Sequence, residues 1–420
     1  VADVQIDSAV ALQERLVYRS GTFWTSTTTG YLIFLDGSLH LHYRKTADGG
    51  ATWAETVIQD SNYIYGVDCW ADWQTDGDAG TKIHISYTNT ATNVVAYQYL
   101  DTNGDSLSGE VTVEAAQGAG AVLASVFNRT SITKSVGGNL CIACSYFDTT
   151  PTLYGIFYTS PDGTTWTSKT SPFEAAEYDH LKLYPANLAD TNDIWGLYGD
   201  NDVNELSLKT WDNSGNSWAE TAIVTYDTQS YDVQYDGVVR LSDGHLLVAV
   251  WNDYDNAAAD IVTFDITDAG TITARTDAIT DTNESFATSC FHDHNAGRWY
   301  VAYCVGGTAH SLVTVYYKYS DDSGVNWSAQ QSMQANAADD ERWITSGAVK
   351  AAWGGFYQPV WYNDDLADLF CNVDNDVAIA AAAGGGWATI AKVNGVGEAV
   401  LGKVGGVAKA DIAMIMGTAV

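Results

Sequence analysis

One short motif, S/T-x-D-x-G-x-x-W, recurs along the chain and constrains its fold more than any other feature. It is complete at Thr46-Ala-Asp-Gly-Gly-Ala-Thr-Trp53 and at Ser320-Asp-Asp-Ser-Gly-Val-Asn-Trp327. It is one residue shorter at Ser160-Pro-Asp-Gly-Thr-Thr-Trp166 and slightly expanded at Trp211-Asp-Asn-Ser-Gly-Asn-Ser-Trp218. Decayed copies without Trp lie at 101–107 and 265–272. Seven apolar or aromatic runs begin near Tyr31, Ile83, Leu140, Ile194, Leu246, Trp299 and Phe356, at steps of 52 to 57 residues. Each turns through polar residues and returns as an alternating run, as Leu246-Leu-Val-Ala-Val-Trp does at Asp260-Ile-Val-Thr-Phe-Asp. A further strand precedes each pair and another follows it; the four are called A, B, C and D. Strand alternation, Gly/Asp/Asn turns and the near absence of helical patterning make the chain all-β. Four antiparallel strands per ~50 residues, repeated seven times, predict a seven-bladed β-propeller. A closed ring exposes no long sheet edge. Either Val4-Gln-Ile or Val377-Ala-Ile-Ala is expected to supply the closing outer strand.

The motifs resemble the Asp boxes (bacterial neuraminidase repeats) of sialidase-like propellers, and the resemblance covers about residues 10–380. The residues that carry it are Asp48, Gly50 and Trp53; Asp162, Gly163 and Trp166; Asp212, Gly215 and Trp218; Asp322, Gly324 and Trp327. Asp accepts backbone N–H groups across a turn. Gly takes the positive φ that other residues resist. Trp buries a large area in the blade. The box therefore identifies a fold and not an activity.

The resemblance raises sialidase chemistry, which implies three arginines clamping a substrate carboxylate, a Tyr/Glu nucleophile pair and an Asp acid/base. The guanidinium fork suits that carboxylate. The eight arginines here do not follow the pattern, and no Arg-Ile-Pro signature is present near Leu16-Val-Tyr-Arg-Ser-Gly. In such blades B–C and D–A connections share one face, where the resemblance places ligands. Arg19, Arg129, Arg240 and Arg298 are expected at the opposite A–B ends, and only Arg342 starts an A strand. The would-be ligand face is acidic and amide-rich. Its expected loop residues include Asp200, Asp202, Asn252, Asp253, Tyr254, Asn363 and Asp364. For hydrolysis by two carboxylates, Glu284 and Glu341 are the first candidates.

With 19 Lys+Arg against 52 Asp+Glu the net charge is −33, which repels phosphate backbones and anionic lipid; neither nucleic-acid binding nor membrane insertion is expected. No apolar run approaches the roughly 18–20 residues that span a bilayer. Acidic loops offer hard oxygen ligands for Ca²⁺, but no EF-hand-like spacing accompanies them, so no cofactor is expected. The pairs His40-Leu-His42 and His292-Asp-His294 each put two imidazoles on one strand face, without a third ligand at defined spacing. Cys141 and Cys144 lie on opposite strand faces and cannot share a metal; the six cysteines read as small core residues.

From residue 384 the composition changes to apolar residues punctuated by Gly, with an 11-residue period that aligns Ile390-Ala-Lys-Val-Asn-Gly-Val with Leu401-Gly-Lys-Val-Gly-Gly-Val. This resembles repeats near the C-termini of phage and virus structural proteins, especially tail-fibre-like ones. The resemblance implies an oligomerisation or docking module in which Ile390, Val393, Val396, Leu401, Val404, Val407 and Ile412 pack. The resulting expectation is a propeller over 1–383 and an assembly tail over 384–420. Its role is expected to be non-enzymatic: an extracellular virion protein (tail fibre, spike or capsid appendage) joined by its tail to copies of itself and to other virion proteins. Its loop face would bind host-surface glycans by stacking aromatic rings on sugars. Two alternatives stand beside it: a secreted glycoside hydrolase of sialidase-like fold, with convergent carboxylates at the central face, and a purely architectural particle protein.

Overall fold

Seven sheets, each threaded from the inside out, follow one another along the chain in the computed structural model. The structure describes residues 3–8, 10–11, 19–60, 63–115, 129–147, 153–174, 180–200, 203–225, 235–252, 261–280, 284–294, 296–306, 314–333, 341–345, 347–350, 359–363, 366–372, 392–393, 396–397, 403–404 and 407–408. Blade 4 shows the pattern in full. Strand A (His180–Pro185) pairs with B (Ile194–Asp200), B with C (Glu205–Asp212), and C with D (Ser217–Thr225), all antiparallel. The inner strands of the other blades are Gly21–Trp24, Ile64–Ala71, Arg129–Lys134, Tyr235–Arg240, Glu284–Asp293 and Glu341–Thr345.

The ring closes with the N-terminal strand Asp3–Ser8, which pairs antiparallel with Asp368–Asn372 and so becomes strand D of blade 7. Of the two candidate closing strands, the first is the one used; 377–380 lie outside the described residues. A second tie at the seam is the parallel pairing of Ala348–Val349 with the inner strand of blade 1.

Apolar alternation explains the core. Both faces of a blade pack against neighbours, so middle strands are buried on both sides: Tyr31 to Leu35 and Leu246 to Val250 are at most 1% exposed. Five of the largest fully buried side chains are Trp24, Trp195, Trp211, Trp299 and Trp361. Cys141 and Cys144 belong to two different packing clusters, as opposite strand faces require, and all six cysteines are buried and form no disulfide.

The C–D turns have a shared construction. Asp48 Oδ1 accepts the Thr52 N–H at 2.9 Å, and Thr46 Oγ1 accepts the Gly50 N–H at 2.8 Å. Asp322 Oδ1 likewise accepts the Asn326 N–H, and Ser320 Oγ accepts the Gly324 N–H, both at 2.8 Å. Asp162 accepts two N–H groups and Asp212 accepts that of Gly215. Gly50, Gly163 and Gly324 have φ of +95°, +75° and +84°, whereas Gly215 does not need the left-handed region; Asn216 takes it instead. The tryptophans reach the preceding blade. Trp327 Nε1 donates to Thr276 O, Trp218 Nε1 donates to Thr170 O, and the Trp166 ring meets Tyr97 edge-on. Trp53 packs edge-on against Trp24 of its own blade and also meets Cys371 of blade 7 across the seam.

In the tail, two short hairpins are described, Lys392–Val393 with Val396–Gly397 and Lys403–Val404 with Val407–Ala408, in the same register 11 residues apart. Ile390, Leu401 and Ile412 lie outside the described residues, and the side chains of Val393, Val396, Val404 and Val407 are likewise not described.

Candidate functional site

Each inner strand begins at the D–A face and runs along the axis, so its first residues ring one mouth of the central channel. In blades 3 to 7 those residues are ionisable: Arg129, His180, Tyr235 with Asp236, Glu284, and Glu341 with Arg342. Arg129 therefore stands at the D–A end, not the A–B end that sequence reasoning assigned to it. Glu284 and Glu341, the candidate carboxylates, stand at this mouth by backbone register, opposite Gly306 and Asn363 of their B strands.

Below the mouth, Asp236 knits three blades. Its Oδ1 accepts from Lys182 Nζ at 3.2 Å and lies 3.3 Å from the Tyr184 hydroxyl; its Oδ2 accepts the Cys290 N–H at 2.8 Å. Burial, with Asp236 next in weight, pushes the Tyr184 phenol well above its ordinary pKa, so it stays protonated.

Deeper still, Arg19 plugs the axis. Its Nε donates to Asp68 Oδ1 at 2.9 Å, its Nη1 to Leu183 O at 2.8 Å and its Nη2 to Ile132 O at 2.7 Å. A second contact joins Nη2 to Asp68 Oδ2. The guanidinium also lies 5.0 Å from the Trp70 ring centroid and 5.2 Å from that of Tyr184. Arg19 precedes the inner strand of blade 1 and so is not at an A–B end either. Asp68 is fully buried and also accepts from Ser131 Oγ and the Ile132 N–H, which leaves it no capacity for a ligand.

Against this plug, and extending to its A–B side, lies a small cavity lined by Arg19, Trp70, Asp236, Cys290, His292 and His294. The two imidazoles meet Nδ1 to Nδ1 at 2.9 Å. Burial drives His292 down to about 3, with its neighbour His294 adding to the effect, and burial drives His294 down to about 4; both are neutral at pH 7. On the same side, His84 bridges Asp72 and Tyr97 at 2.9 and 2.8 Å, and Lys134 caps Asp72 at 2.6 Å. Burial lowers the pKa of His84 against the pull of Asp72, and this network is sealed between blades 2 and 3.

The expected ligand-face loop residues divide. Asp200 ends strand B of blade 4 and faces Glu174 and Glu220, beside Lys209. Asn363 is fully buried and accepts the Leu366 N–H at 2.9 Å; it caps a turn and is no ligand residue. Asn252 follows strand B of blade 5. Asp202, Asp253, Tyr254 and Asp364 lie outside the described residues. The His40–His42 pair does have a third partner, Asp36, which sequence spacing had not supplied.

The chain matches no protein-family model and no curated protein. Among solved structures it is similar to an ulvan lyase, a polysaccharide lyase, at TM-score 0.53 and 9% identity over 88% of this chain and 94% of that one. The chain shares the fold of a polysaccharide lyase. A structure of that lyase bound to -[GlcA(1-4)Rha3S]- superposes at TM-score 0.52 with 10% identity, over the same shares of the two chains. Trypanosoma rangeli sialidase is similar at TM-score 0.48 and 11% identity, over 77% of this chain and 58% of that one. These likenesses correct the expectation of a non-enzymatic virion protein. The likeness that carries weight is the fold of a polysaccharide lyase over 88% of this chain, and nothing in it points to a tail fibre, spike or capsid protein. The tail repeat alone had suggested a virion.

Proposed function

We propose that this propeller cleaves glycans at the D–A mouth of its central channel. The observation that carries the reading is the run of ionisable residues at the starts of the inner strands in five consecutive blades. Acid–base cleavage of a glycosidic bond needs a proton donor and a base or nucleophile placed on either side of it. Glu284 and Glu341 are the carboxylates we assign to those roles. Arg129, His180 and Lys182 are the groups on the facing blades suited to hold hydroxyl or carboxylate oxygens. Asp68 is excluded because Arg19 saturates it. The shared fold with a polysaccharide lyase supports this reading. We also read the C–D turns as Asp boxes, on the strength of their Asp-to-N–H bonds and positive-φ glycines.

The test is a panel of neutral and anionic polysaccharides. New reducing ends signal cleavage, and ultraviolet absorbance of an unsaturated uronate separates elimination from hydrolysis. Glu284→Gln and Glu341→Gln are each expected to lower kcat by 100-fold or more with the fold intact. Binding without turnover across the panel would overturn the enzymatic reading, and turnover unchanged in both variants would move the site elsewhere.

A further inference from the structure

We propose that Asp36, His40 and His42 form a zinc site on blade 1, at the B–C turn. Strand B ends at Leu35 and strand C begins at Leu41, so the three residues bracket one tight turn. Asp36 is held by that turn: its Oδ1 accepts the Ser38 N–H at 2.9 Å and the His40 N–H at 2.8 Å. Its other oxygen, Oδ2, is thereby aimed at the two imidazoles, 3.2 Å from His40 Nδ1 and 3.4 Å from His42 Nε2. All three donor atoms lie within 4.8 Å of one another. Tetrahedral ligands at zinc bond lengths of ~2.1 Å stand roughly 3.4 Å apart. Two of the three donor separations already match that edge.

His42 makes the argument specific. Its residue is 6% exposed, and neither ring nitrogen closes a hydrogen bond of good geometry. The Nε2 of His42 is left buried without a donor, which is costly unless something else takes its lone pair. Its Nδ1 lies 2.6 Å from Glu55 Oε1, on the side away from Asp36. That is the arrangement by which a carboxylate fixes the tautomer of a metal-bound histidine. Glu55 is in turn held by Arg44 at 2.8 Å, and Arg44 by Asp7 at 2.7 Å. Asp7 belongs to the closing strand, so the outer shell of the site reaches across the seam of the ring. Two imidazoles and one carboxylate favour zinc over calcium, which prefers an all-oxygen set. His40 and Asp36 are only partly buried, so a fourth position is open to water.

The test is titration of the full chain with Zn²⁺ in millimolar Mg²⁺ and Ca²⁺, which occupy nonspecific acidic sites, together with the visible spectrum of the Co²⁺ form. One equivalent of Zn²⁺ and an intense tetrahedral Co²⁺ spectrum are expected. His40→Ala and Asp36→Asn, both at partly exposed positions, should weaken binding by about 100-fold or more, and Glu55→Gln by about 10-fold or more. Absence of stoichiometric binding, a weak octahedral Co²⁺ spectrum, or an affinity unchanged in His40→Ala and Asp36→Asn would overturn the assignment.

Discussion

Arg19 and Asp68 meet on the propeller axis as a buried two-point ion pair, with Nε to Oδ1 at 2.9 Å and the remaining guanidinium nitrogens spent on the inner strands of blades 3 and 4. Burial alone would lower the pKa of Arg19, but Asp68 outweighs it and the guanidinium is held more firmly protonated than usual. Removing one partner leaves the other charged and buried. Arg19→Met and Asp68→Asn should therefore each destabilise by about 3–5 kcal/mol, read from urea unfolding. The double variant should cost less than the two singles combined, and simple additivity would show that the pair is not coupled.

The His292–His294 pair sets the acid limb of stability. Both imidazoles have folded pKa values, about 3 and about 4, below the ordinary histidine value, so the unfolded chain binds more protons. Stability then rises with pH. It is complete above the unfolded value of about 6.5 and is lost as pH falls towards the folded values. Arg240 works in the same direction at His292 and Asp243 opposes it. Urea midpoints between pH 7 and 4.5 should fall steadily, and a His292→Gln/His294→Gln protein should show a flatter profile. An equal slope in both proteins would remove the pair from the account.

Gly163 and Gly270 have nearly the same φ, +75° and +77°, in different surroundings. A Cβ at Gly163 would come 2.8 Å from the ring of Tyr97, whose hydroxyl is tied to His84, whereas nothing lies within 4 Å at Gly270. Gly270→Ala should cost only the left-handed penalty, about 1–2 kcal/mol. Gly163→Ala should add about 1–3 kcal/mol of overpacking. Thermal or urea unfolding of the two variants compares them directly.

All six thiols should resist modification in the native protein. Burial pushes Cys141 and Cys371 up to about 12 and raises the thiols of Cys69, Cys144 and Cys290 as well, leaving little thiolate, and Cys304 is fully buried. A colorimetric thiol reagent should find none before denaturation and six after it. Fast reaction of any native thiol would contradict the packing described for it.

Much of this architecture was legible because propeller blades repeat their own punctuation. The Asp–Gly–Trp turns fixed the C–D corners, and alternation fixed the middle strands. The site was legible only in part. Glu284 and Glu341 could be singled out from the acidic D–A loops Asp281-Thr-Asn-Glu and Asp339-Asp-Glu, but Arg129 was assigned to the wrong end because the apolar run Ala121-Val-Leu-Ala-Ser-Val-Phe just before it reads as a strand that Arg129 ends. Arg19 and Asp68 are 49 residues apart, and nothing local in the sequence pairs an arginine of one blade with an aspartate of the next. Asp36 was within reach, since an Asp-Gly turn four residues before His40 brings a carboxylate back over the strand. The virion reading failed for another reason: a short Gly-rich repeat reports on how a segment is built and carries no chemistry.

Closure by the first strand imposes an order on synthesis. Asp3–Ser8 leaves the ribosome before any blade exists, yet its partner Asp368–Asn372 arrives only after the other six blades have been made. Until then the opening segment has no native mate, and blades 1 and 7 cannot meet. Closure of the ring therefore waits on Asp368–Asn372 finding Asp3–Ser8, and an obstruction held against residues 3–8 would act on the whole circle rather than on one edge.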